Sequence, residues 1–518
     1  MRSIRLRILV MCVVLAIAGV GAWQLLPDSG VKKTQIRLGT TDDVSSLDPA
    51  LAYDAGSWAL YSALYQSLMT FPRGSATPEP DAAKECGFTD ASLRTFSCTM
   101  RDDLHFSNGN RLTAEDVKFS LDRVRNIDND SGPGPLLTTI AKIDAVGDKV
   151  TFHLKTRDAT FASKIATGAG AIVDHTVYPA DKGLEGTTVA GSGPYVLKAY
   201  KKGVSATLEP NTKYKGAITR TGVPIEVEYF KQPEALDKAW EQKKVDATHR
   251  ELPPKVLSAL TPGDTSAHVN EVAGNETRNL IFNVRKSSPM NQVALRQAAA
   301  NLIDRSRLAS EVYEGTVEPL YSLIPQGYAG HSTAFFDTYT KVDPAKAKEL
   351  AADAGVHTPV TITLGYSATS VTDREAALLK KQLENGGVFK VKLAGESDWT
   401  AFQKNYTHGK YDAYAVGWIA DYPDAENYSQ PLVGTENSYA NAFSNARIDS
   451  LINETQQFSD RGRTTQLFRD IQDMVAEQVP VIPLWQRTDY VLTNKDISGG
   501  QYLSDGTGVW RIWELGWL

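Results

Sequence analysis

Helix and strand patterns alternate through residues 343–396, and this alternation constrains the fold more than any other feature. The stretch reads DPAKAKELAADAGV, VTITLGY, DREAALLKKQLENGGV and FKVKLAGE. Apolar residues recur at helical spacing in the first and third segments and at alternate positions in the other two. Strands separated by helices favour parallel pairing, so we predict an α/β fold. A chain of 518 residues is long enough for two to four domains or one large multi-lobed unit.

Two other segments carry clear local patterns. GSGPYVLKAYKKGVSATLEPNTKY, residues 191–214, has two alternating runs joined by KKG, which predicts a β-hairpin. MNQVALRQAAANLIDRSRLASEVY, residues 290–313, has apolar residues at helical spacing throughout and predicts one long helix.

The N-terminus has an export pattern. Arg2, Arg5 and Arg7 precede a run from Ile8 to Leu26 that contains no charged residue. A positive flank before an apolar run is typical of a secretory signal, and this run is also just long enough to span a bilayer. Two alternatives stay open for residues 1–30, a signal cleaved after Ala22 and an uncleaved membrane anchor with a short linker. Both place the remaining chain outside the cytoplasm, on the outer face of the cytoplasmic membrane or in the periplasmic or cell-wall space.

Two cysteines fit that location. Cys86 and Cys98 flank a short polar stretch between two strand-like segments. In an oxidising compartment we expect a cross-strand disulfide that closes this small loop. Two unpaired thiols are the alternative.

Composition and motifs argue against several function classes. Lys+Arg 55 against Asp+Glu 61 gives a net charge of −6 without a long basic run, so we expect no nucleic-acid partner. No GxSxG, HExxH, P-loop or Rossmann glycine pattern is present, and we expect no cofactor and no metal. The carboxylates of DYPDAEN, residues 421–427, suit the acid and base of a secreted glycoside hydrolase. A solvated turn is the more ordinary interpretation of such residues.

One stretch, YAVGWIADYPDAENYSQPLVG at residues 414–434, passes from an apolar strand directly to acidic residues. A carboxylate such as Asp421 at the end of an apolar strand can meet an ammonium group in a water-poor cleft, where a charge-assisted hydrogen bond is strong. Trp418 would supply a rigid apolar wall and a cation–π surface. The alternative is that Trp418 is a core residue and Asp421 caps the following turn.

Several motifs, taken in order, resemble the extracytoplasmic solute-binding proteins of ABC transporters, specifically the oligopeptide/dipeptide/nickel-binding family 5. The resemblance runs from about Gln35 to near the C-terminus. The motifs are SLDPALAYD, MRDDLHFSNGNRLTAEDVKFSLDRV, GSGPYVL, LEPNTKY, NLIFNV, SLIPQGY, DPAKAKELAADAG, GWIADYPDAENY and YANAFSNARIDSLINE.

The resemblance implies a two-lobed periplasmic-binding-protein-like α/β fold of the class II type. It implies no catalysis. Lobe I would comprise residues 34–65, 190–275 and 485–518, and residues 66–189 would form an extra subdomain that holds the cysteine pair. Lobe II would comprise residues 276–484. Chain crossings near Asn275 and Trp485 would form the hinge.

The resemblance also implies a ligand slot. In peptide-binding members the aspartate at this strand end pairs with the α-amino group of the ligand, and here that residue is Asp421. The strand from Gly417 to Ile419 would bond the peptide main chain, with Trp418 lining a pocket. The segment from Tyr53 to Ala55 would face it from the other lobe.

The far end of the ligand is where this sequence departs from the family pattern. Tyr406 and Ala415 stand where oligopeptide binders often have arginines. Dipeptide binders use an arginine that opens the helix after the preceding strand, and Arg374 is the matching candidate. A solvated arginine in a first helical turn is the alternative.

We therefore predict a monomeric, exported receptor that binds peptides and delivers them to an ABC permease. An oligosaccharide or a metal chelate bound by the same fold is the alternative ligand. A secreted glycoside hydrolase is the alternative function of another class.

Overall fold

The computed structural model describes residues 34–127, 129, 131–260, 267–272, 274–504, 507 and 509–518. In chain order the strands are β1 (Ile36–Thr40), β2 (Met69–Thr70), β3 (Glu79–Pro80), β4 (Ala83–Phe88), β5 (Thr95–Met100), β6 (Ile140–Val146), β7 (Lys149–Leu154), β8 (Tyr195–Lys201), β9 (Ser205–Pro210), β10 (Ile225–Tyr229), β11 (Ala247–His249), β12 (Ala267–Val272), β13 (Thr277–Phe282), β14 (Val317–Pro319), β15 (Val360–Ser367), β16 (Phe389–Glu396), β17 (Ala413–Trp418), β18 (Val481–Arg487), β19 (Asp489–Asn494), β20 (Ile497–Ser498) and β21 (Gly516–Trp517).

The α-helices lie mainly between these strands. In chain order they are α1 (Ala55–Leu64), α2 (Ala114–Ile127), α3 (Phe161–Lys164), α4 (Pro233–Glu241), α5 (Pro254–Ser258), α6 (Val293–Ala300), α7 (Arg305–Arg307), α8 (Ala334–Thr338), α9 (Pro344–Asp353), α10 (Ser370–Glu384), α11 (Trp399–Thr407), α12 (Gln430–Val433), α13 (Ala446–Thr455) and α14 (Thr465–Gln478).

Two large sheets organise the molecule. The first has seven strands in the order β12-β19-β11-β1-β10-β9-β8, and the second has six in the order β14-β18-β13-β17-β15-β16. In the first sheet β1 pairs in parallel with β10 and β11, and in the second β15 pairs in parallel with β16 and β17. The predicted α/β class is confirmed, as is the hairpin, which β8 and β9 form.

The chain passes between the two sheets twice. Strand β12 belongs to the first sheet and β13 to the second, and described residues 274–276 of the segment between them form part of one crossing. Strands β18 and β19 are likewise divided between the sheets, so the other crossing lies at Thr488. Trp485, near which we predicted this crossing, is buried within β18. The backbone at Gly274 packs closely against the second crossing. A Cβ added at Gly274 would stand 1.8 Å from the carbonyl oxygen of Arg487.

A four-stranded antiparallel sheet, β4-β5-β7-β6, forms a separate layer between β1 and β8 in sequence. Cys86 on β4 stands directly opposite Cys98 on β5, and the two form a disulfide. The predicted disulfide is confirmed, and the sheet supplies its reason, since opposed positions on neighbouring antiparallel strands bring the two Cβ atoms close together.

A buried ion pair joins helix α2 to the segment around Asp48. Arg123 on α2 donates from both guanidinium Nη atoms to Asp48, at 2.7 and 2.6 Å, and both side chains are 2% exposed. The backbone amides of Leu184 and Ala50 also donate to this carboxylate. The aspartate of the LDP motif is therefore a structural residue that holds three segments together.

The predicted long helix over residues 290–313 is wrong. The helix breaks after α6 and resumes at α7, followed by one π-helical turn at Leu308–Val312. Asp304 caps the second piece by accepting from the Arg307 amide. An aspartate favours such caps over helix interiors, and helical periodicity on both sides concealed the break.

Within the part of the chain that the structure describes, no helix combines the length and the apolar character needed to cross a bilayer. The predicted signal or anchor at residues 1–30 lies outside the described residues.

We expect Arg123→Met to lower the free energy of unfolding by about 3–5 kcal/mol, because it leaves the Asp48 carboxylate buried without its cation. Urea unfolding measures the loss. Arg307→Met is the matched control, since its ion pair with Glu311 is largely exposed and should shift the midpoint little. Equal losses in the two variants would show that the buried pair has no special structural role.

Candidate ligand-binding site

Strand β17 is apolar because it lies inside the second sheet. Its first four residues, from Ala413 to Val416, are buried, with β13 on one side and β15 on the other. Pairing with β13 continues to Trp418, but pairing with β15 stops at Ala415. The backbone after Ala415 therefore lacks a β15 partner, and this open edge leads directly to Asp421.

Asp421 is a buried carboxylate, 7% exposed, with neutral donors around it. Its Oδ2 accepts from the Tyr53 hydroxyl at 2.7 Å and from the Asn427 amide nitrogen at 2.8 Å. None of the described residues donates a hydrogen bond to Oδ1 or forms an ion pair with this carboxylate. One oxygen of a buried anion thus remains available.

Burial raises the pKa of Asp421 to about 7. The hydrogen bonds from Asn427 and Tyr53 work against that rise, and the negative charge of Glu426 adds to it. The carboxyl group is therefore poised to take up a proton near neutral pH, or to ionise if a cation approaches it.

Asn427 fixes the end of the strand. It is fully buried, and besides donating to Asp421 its Oδ1 accepts from the backbone amide of Asp421 at 2.9 Å and from the Trp418 indole at 3.3 Å. It lies in a 3₁₀ turn, Ala425–Tyr428, which Asp424 caps. Sequence reasoning missed Asn427, because an asparagine in a polar turn gives no signal that it contacts the strand before it.

Aromatic side chains surround the carboxylate. The Tyr53 ring meets the Trp418 ring edge-on at 6.2 Å and the Trp58 ring at 5.2 Å. The Tyr439 ring also meets the Trp418 ring edge-on, with the ring centres 6.1 Å apart. Trp418 itself is partly exposed, so it is not a simple core residue.

The structure brings together most of the predicted site residues. Tyr53 contacts Trp418 and Asp421 directly, Ala55 begins α1 two residues later, and Gly417 and Ile419 flank Trp418 on partly exposed backbone.

Arg374 is placed differently. It is exposed at the fifth residue of α10, and its guanidinium donates to the carbonyl oxygen of Val312 at 2.9 Å. Among the described residues, Arg374 makes no contact with the group around Asp421. The ligand-binding role of Arg374 therefore stays a prediction.

A charged cluster lies beside Gly417. A Cβ on Gly417 would stand 2.8 Å from a carboxylate oxygen of Glu276, which explains the glycine. Glu276 lies 3.7 Å from Arg250 and 3.6 Å from Arg487, and these arginines also pair with Asp42 and Glu251 respectively. Glu276 lies in the first crossing and Arg487 directly precedes the second, so the cluster links the strand edge to both crossings. Sequence reasoning gave no signal for it, since its members are distant in sequence.

The remaining carboxylates of the DYPDAEN motif do not form an acid–base pair. Asp424 makes a two-pronged ion pair with Arg461, at 2.7 and 2.8 Å. Glu426 is buried and accepts from the Tyr422 hydroxyl. Both carboxylates therefore have structural roles, which removes the basis for the hydrolase alternative.

By distance alone, Asp116, Asp174 and His175 could hold a metal ion. Their carboxylate oxygens already accept hydrogen bonds, from the Thr113 hydroxyl, the Thr176 hydroxyl and the His175 ring among others. We interpret this group as a hydrogen-bond network that joins α2 to residues 174–176.

Comparison with known proteins gives consistent results. A family model described as "Bacterial extracellular solute-binding proteins, family 5 Middle" matches residues 77–440. A probable D,D-dipeptide-binding periplasmic protein of Escherichia coli (strain K12) is 26% identical over 492 residues, covering 91% of this chain and 92% of the relative. Di/tripeptide-binding protein 1 of Pseudomonas aeruginosa is 24% identical, covering 86% of each chain. A solved Helicobacter pylori periplasmic binding protein, in complex with the peptide STSA, has a TM-score of 0.81 at 20% identity, covering 93% of this chain and 98% of that one.

The raised pKa of Asp421 predicts how the stability of the ligand-free protein depends on pH. A carboxyl group whose folded pKa exceeds its unfolded value contributes stability at low pH and loses it as the pH rises through about 7. We expect the free energy of unfolding of the native protein to fall by about 2 kcal/mol relative to Asp421→Asn between about pH 5 and about pH 8. Urea titrations at both pH values measure this.

Asp353→Asn changes an exposed aspartate on α9 and serves as the control, which should follow the native protein at both pH values. Identical pH dependence in the native protein and Asp421→Asn would contradict the raised pKa.

Proposed function

Because the chain belongs to family 5 of the bacterial extracellular solute-binding proteins, we propose that it binds peptides between two lobes and delivers them to an ABC importer. The observation that carries the proposal is Asp421, a buried carboxylate with one free oxygen at the open end of β17. The names of the relatives, a D,D-dipeptide-binding and a di/tripeptide-binding protein, support the same ligand class.

A peptide's N-terminal ammonium complements Asp421 electrostatically. Among the described residues the carboxylate has two neutral donors and no cationic partner, so its ionised form is costly to bury. An ammonium at Oδ1 would supply the missing charge through a charge-assisted hydrogen bond in a site with little water. A sugar hydroxyl supplies a hydrogen bond but no charge, so the site favours an amine over an oligosaccharide.

The open edge of β17 suits the peptide main chain. Beyond Ala415 the strand has β13 on one side only, so a ligand can add as a further strand along residues 417–419. Main-chain hydrogen bonds of this kind give affinity that depends little on the ligand's side chains.

We propose the lobe division given above, with the hinge at the two crossings. Hydrogen bonds join the proposed lobes at several points, from Tyr53 to Asp421 at 2.7 Å, from Thr160 to Gln456 at 3.3 Å and from Ser370 to Glu234 at 2.5 Å. The arrangement supports a closed state that opens by rotation at residues 274–276 and at Thr488.

We further propose that the chain is exported and acts as a monomer on an ABC permease in the membrane. Residues 1–30 would serve as an uncleaved anchor or as a signal removed after Ala22. The uncharged run after three arginines supports export in both cases. Mass spectrometry of the mature N-terminus distinguishes the anchor from the cleaved signal.

Isothermal titration calorimetry with short peptides tests the role of Asp421. We expect peptides with a free amine to bind at least about 100-fold more tightly than their N-acetylated forms, because acetylation leaves the buried carboxylate without a cation. Asp421→Asn should abolish that difference, while Asp353→Asn should retain it. Equal binding of free and acetylated peptides to the native protein would contradict amine recognition. Binding of sugars or metal chelates in place of peptides would redirect the proposed ligand class.

Asn427→Leu tests whether this residue positions Asp421. The change removes a donor to the carboxylate and the acceptor for the Asp421 amide, so affinity for free-amine peptides should fall about tenfold or more. Because the lost hydrogen bond lowered the pKa of Asp421, the pH above which peptides bind well should also shift upward.

Asn283→Leu is the matched control for that experiment. Asn283 is also buried, but it donates to the carbonyl oxygens of Gly409 and Tyr411. It should lose stability while keeping the native affinity and pH profile. If both variants showed the same profile as the native protein, Asn427 would have only a structural role.

A further inference from the structure

The extra subdomain contacts proposed lobe II through polar groups. The backbone amide and the hydroxyl of Thr160 donate to the side-chain oxygen of Gln456 at 3.4 and 3.3 Å, and the Ala159 amide donates to the Gln456 carbonyl oxygen at 3.3 Å. Thr160 directly precedes α3 in the subdomain, and Gln456 directly follows α13 in lobe II. We call this pairing of residues 159–160 with Gln456 the subdomain contact.

A buried ion pair on the subdomain side fixes the position of Thr160. Asp158 is fully buried, and its two oxygens accept from the Lys164 ammonium at 3.2 and 3.0 Å. Its Oδ1 also accepts from the Thr160 hydroxyl at 2.9 Å and from the Thr160 amide at 3.2 Å. All of these bonds lie within the subdomain, so the orientation of Thr160 does not depend on Gln456.

Charges act across the same boundary. Burial lowers the pKa of Lys164, but the negative charges of Asp158 and of Glu426 more than offset this effect, and the pKa lies above its ordinary value. Burial raises the pKa of Glu426, and the positive charge of Lys164 opposes that rise. Because Lys164 belongs to the subdomain and Glu426 to proposed lobe II, each side stabilises a buried charge on the other.

The polar character of the contact suits an interface that separates. Asp158, Thr160, Lys164 and Gln456 are each at most 8% exposed. The side-chain nitrogen of Gln456 is buried and has no hydrogen-bond partner among the described residues, which is costly while the two surfaces touch. Water would solvate all of these groups if the surfaces separated. Permanent interfaces are more apolar, whereas movable ones between domains have this composition.

We propose that the extra subdomain takes part in closure of the two lobes, and that the subdomain contact forms on closing and breaks on opening. The inference rests on the proposed function. A peptide that binds between closed lobes gains the free energy that this contact contributes to the closed state. The contact therefore acts on affinity and on release through Thr160 and Gln456, neither of which belongs to the group around Asp421. Its effect should be equal for peptides of different sequence.

Gln456→Glu tests this role by changing one group. Asp158 and Gln456 accept from the same two donors of Thr160, so the new carboxylate would be buried beside that of Asp158 in the closed state and solvated in the open state. We expect calorimetry to show binding of Ala-Ala-Ala and of Leu-Gly-Leu weakened by the same factor, about tenfold or more. Gln457→Glu adds the same charge at the next residue, which is exposed, and should keep the native affinity.

A reversible cross-link tests whether the contact breaks. Thr160→Cys combined with Gln456→Cys places thiols where the hydroxyl and the amide oxygen are 3.3 Å apart. We expect the oxidised double variant to release a radiolabelled peptide about tenfold or more slowly than the reduced one. Without peptide, small-angle X-ray scattering should give a larger radius of gyration for the reduced form. Native protein with the same reductant controls for effects on the disulfide of Cys86 and Cys98.

The outcomes separate this inference from the proposed function. Equal weakening of both peptides by Gln456→Glu, native affinity in Gln457→Glu and slowed release from the cross-linked protein support it. Native affinity in Gln456→Glu, failure of the cross-link to form, or release at the same rate with and without it overturns the inference and leaves peptide binding in place. If neither peptide binds the native protein, the proposed function is rejected, and the scattering comparison decides alone, since equal radii would show that the contact does not open.

Discussion

The site depends on one unfavourable feature, a carboxylate that is buried with no cationic partner in the part of the chain that the structure describes. Charged groups in protein interiors are normally paired, because transfer out of water costs several kcal/mol. Asp421 instead has a phenol and an amide as donors, and burial raises its pKa to about 7 although both hydrogen bonds oppose that rise. Ionisation of such a group at the end of a central strand is costly unless a cation lies close to it. The edge of β17 and several aromatic side chains lie around this carboxylate.

The surrounding architecture supplies the rigidity that this arrangement requires. β17 is buried between two neighbours, so its end cannot move independently of the sheet. Asn427 joins the strand end to the following turn, and Tyr53 brings a hydroxyl from the other side. The buried pair of Asp48 and Arg123 fixes the segment that precedes Tyr53. Together these contacts help to fix the position of the Asp421 carboxylate.

Periodic features were predictable from the sequence because they depend on residues that are close together along the chain. The helix–strand alternation at 343–396 gave the α/β class, and the position of the two cysteines on neighbouring strands gave their disulfide. The end of an apolar strand was enough to single out Trp418 and Asp421. Asn427 and Glu276 were not predictable, since their importance arises from a turn conformation and from the meeting of two distant crossings. The break between α6 and α7 was not predicted for a related reason. A cap residue and a helix-interior residue can occupy the same position in a helical sequence pattern.

Gly417 also bears on the charged cluster beside the strand. The carboxylate of Glu276 fills the space where a side chain at 417 would begin, and that carboxylate lies between Arg250 and Arg487. A side chain substituted at 417 would therefore push on this cluster, and its cost would include disturbed ion pairs next to both crossings as well as a local clash.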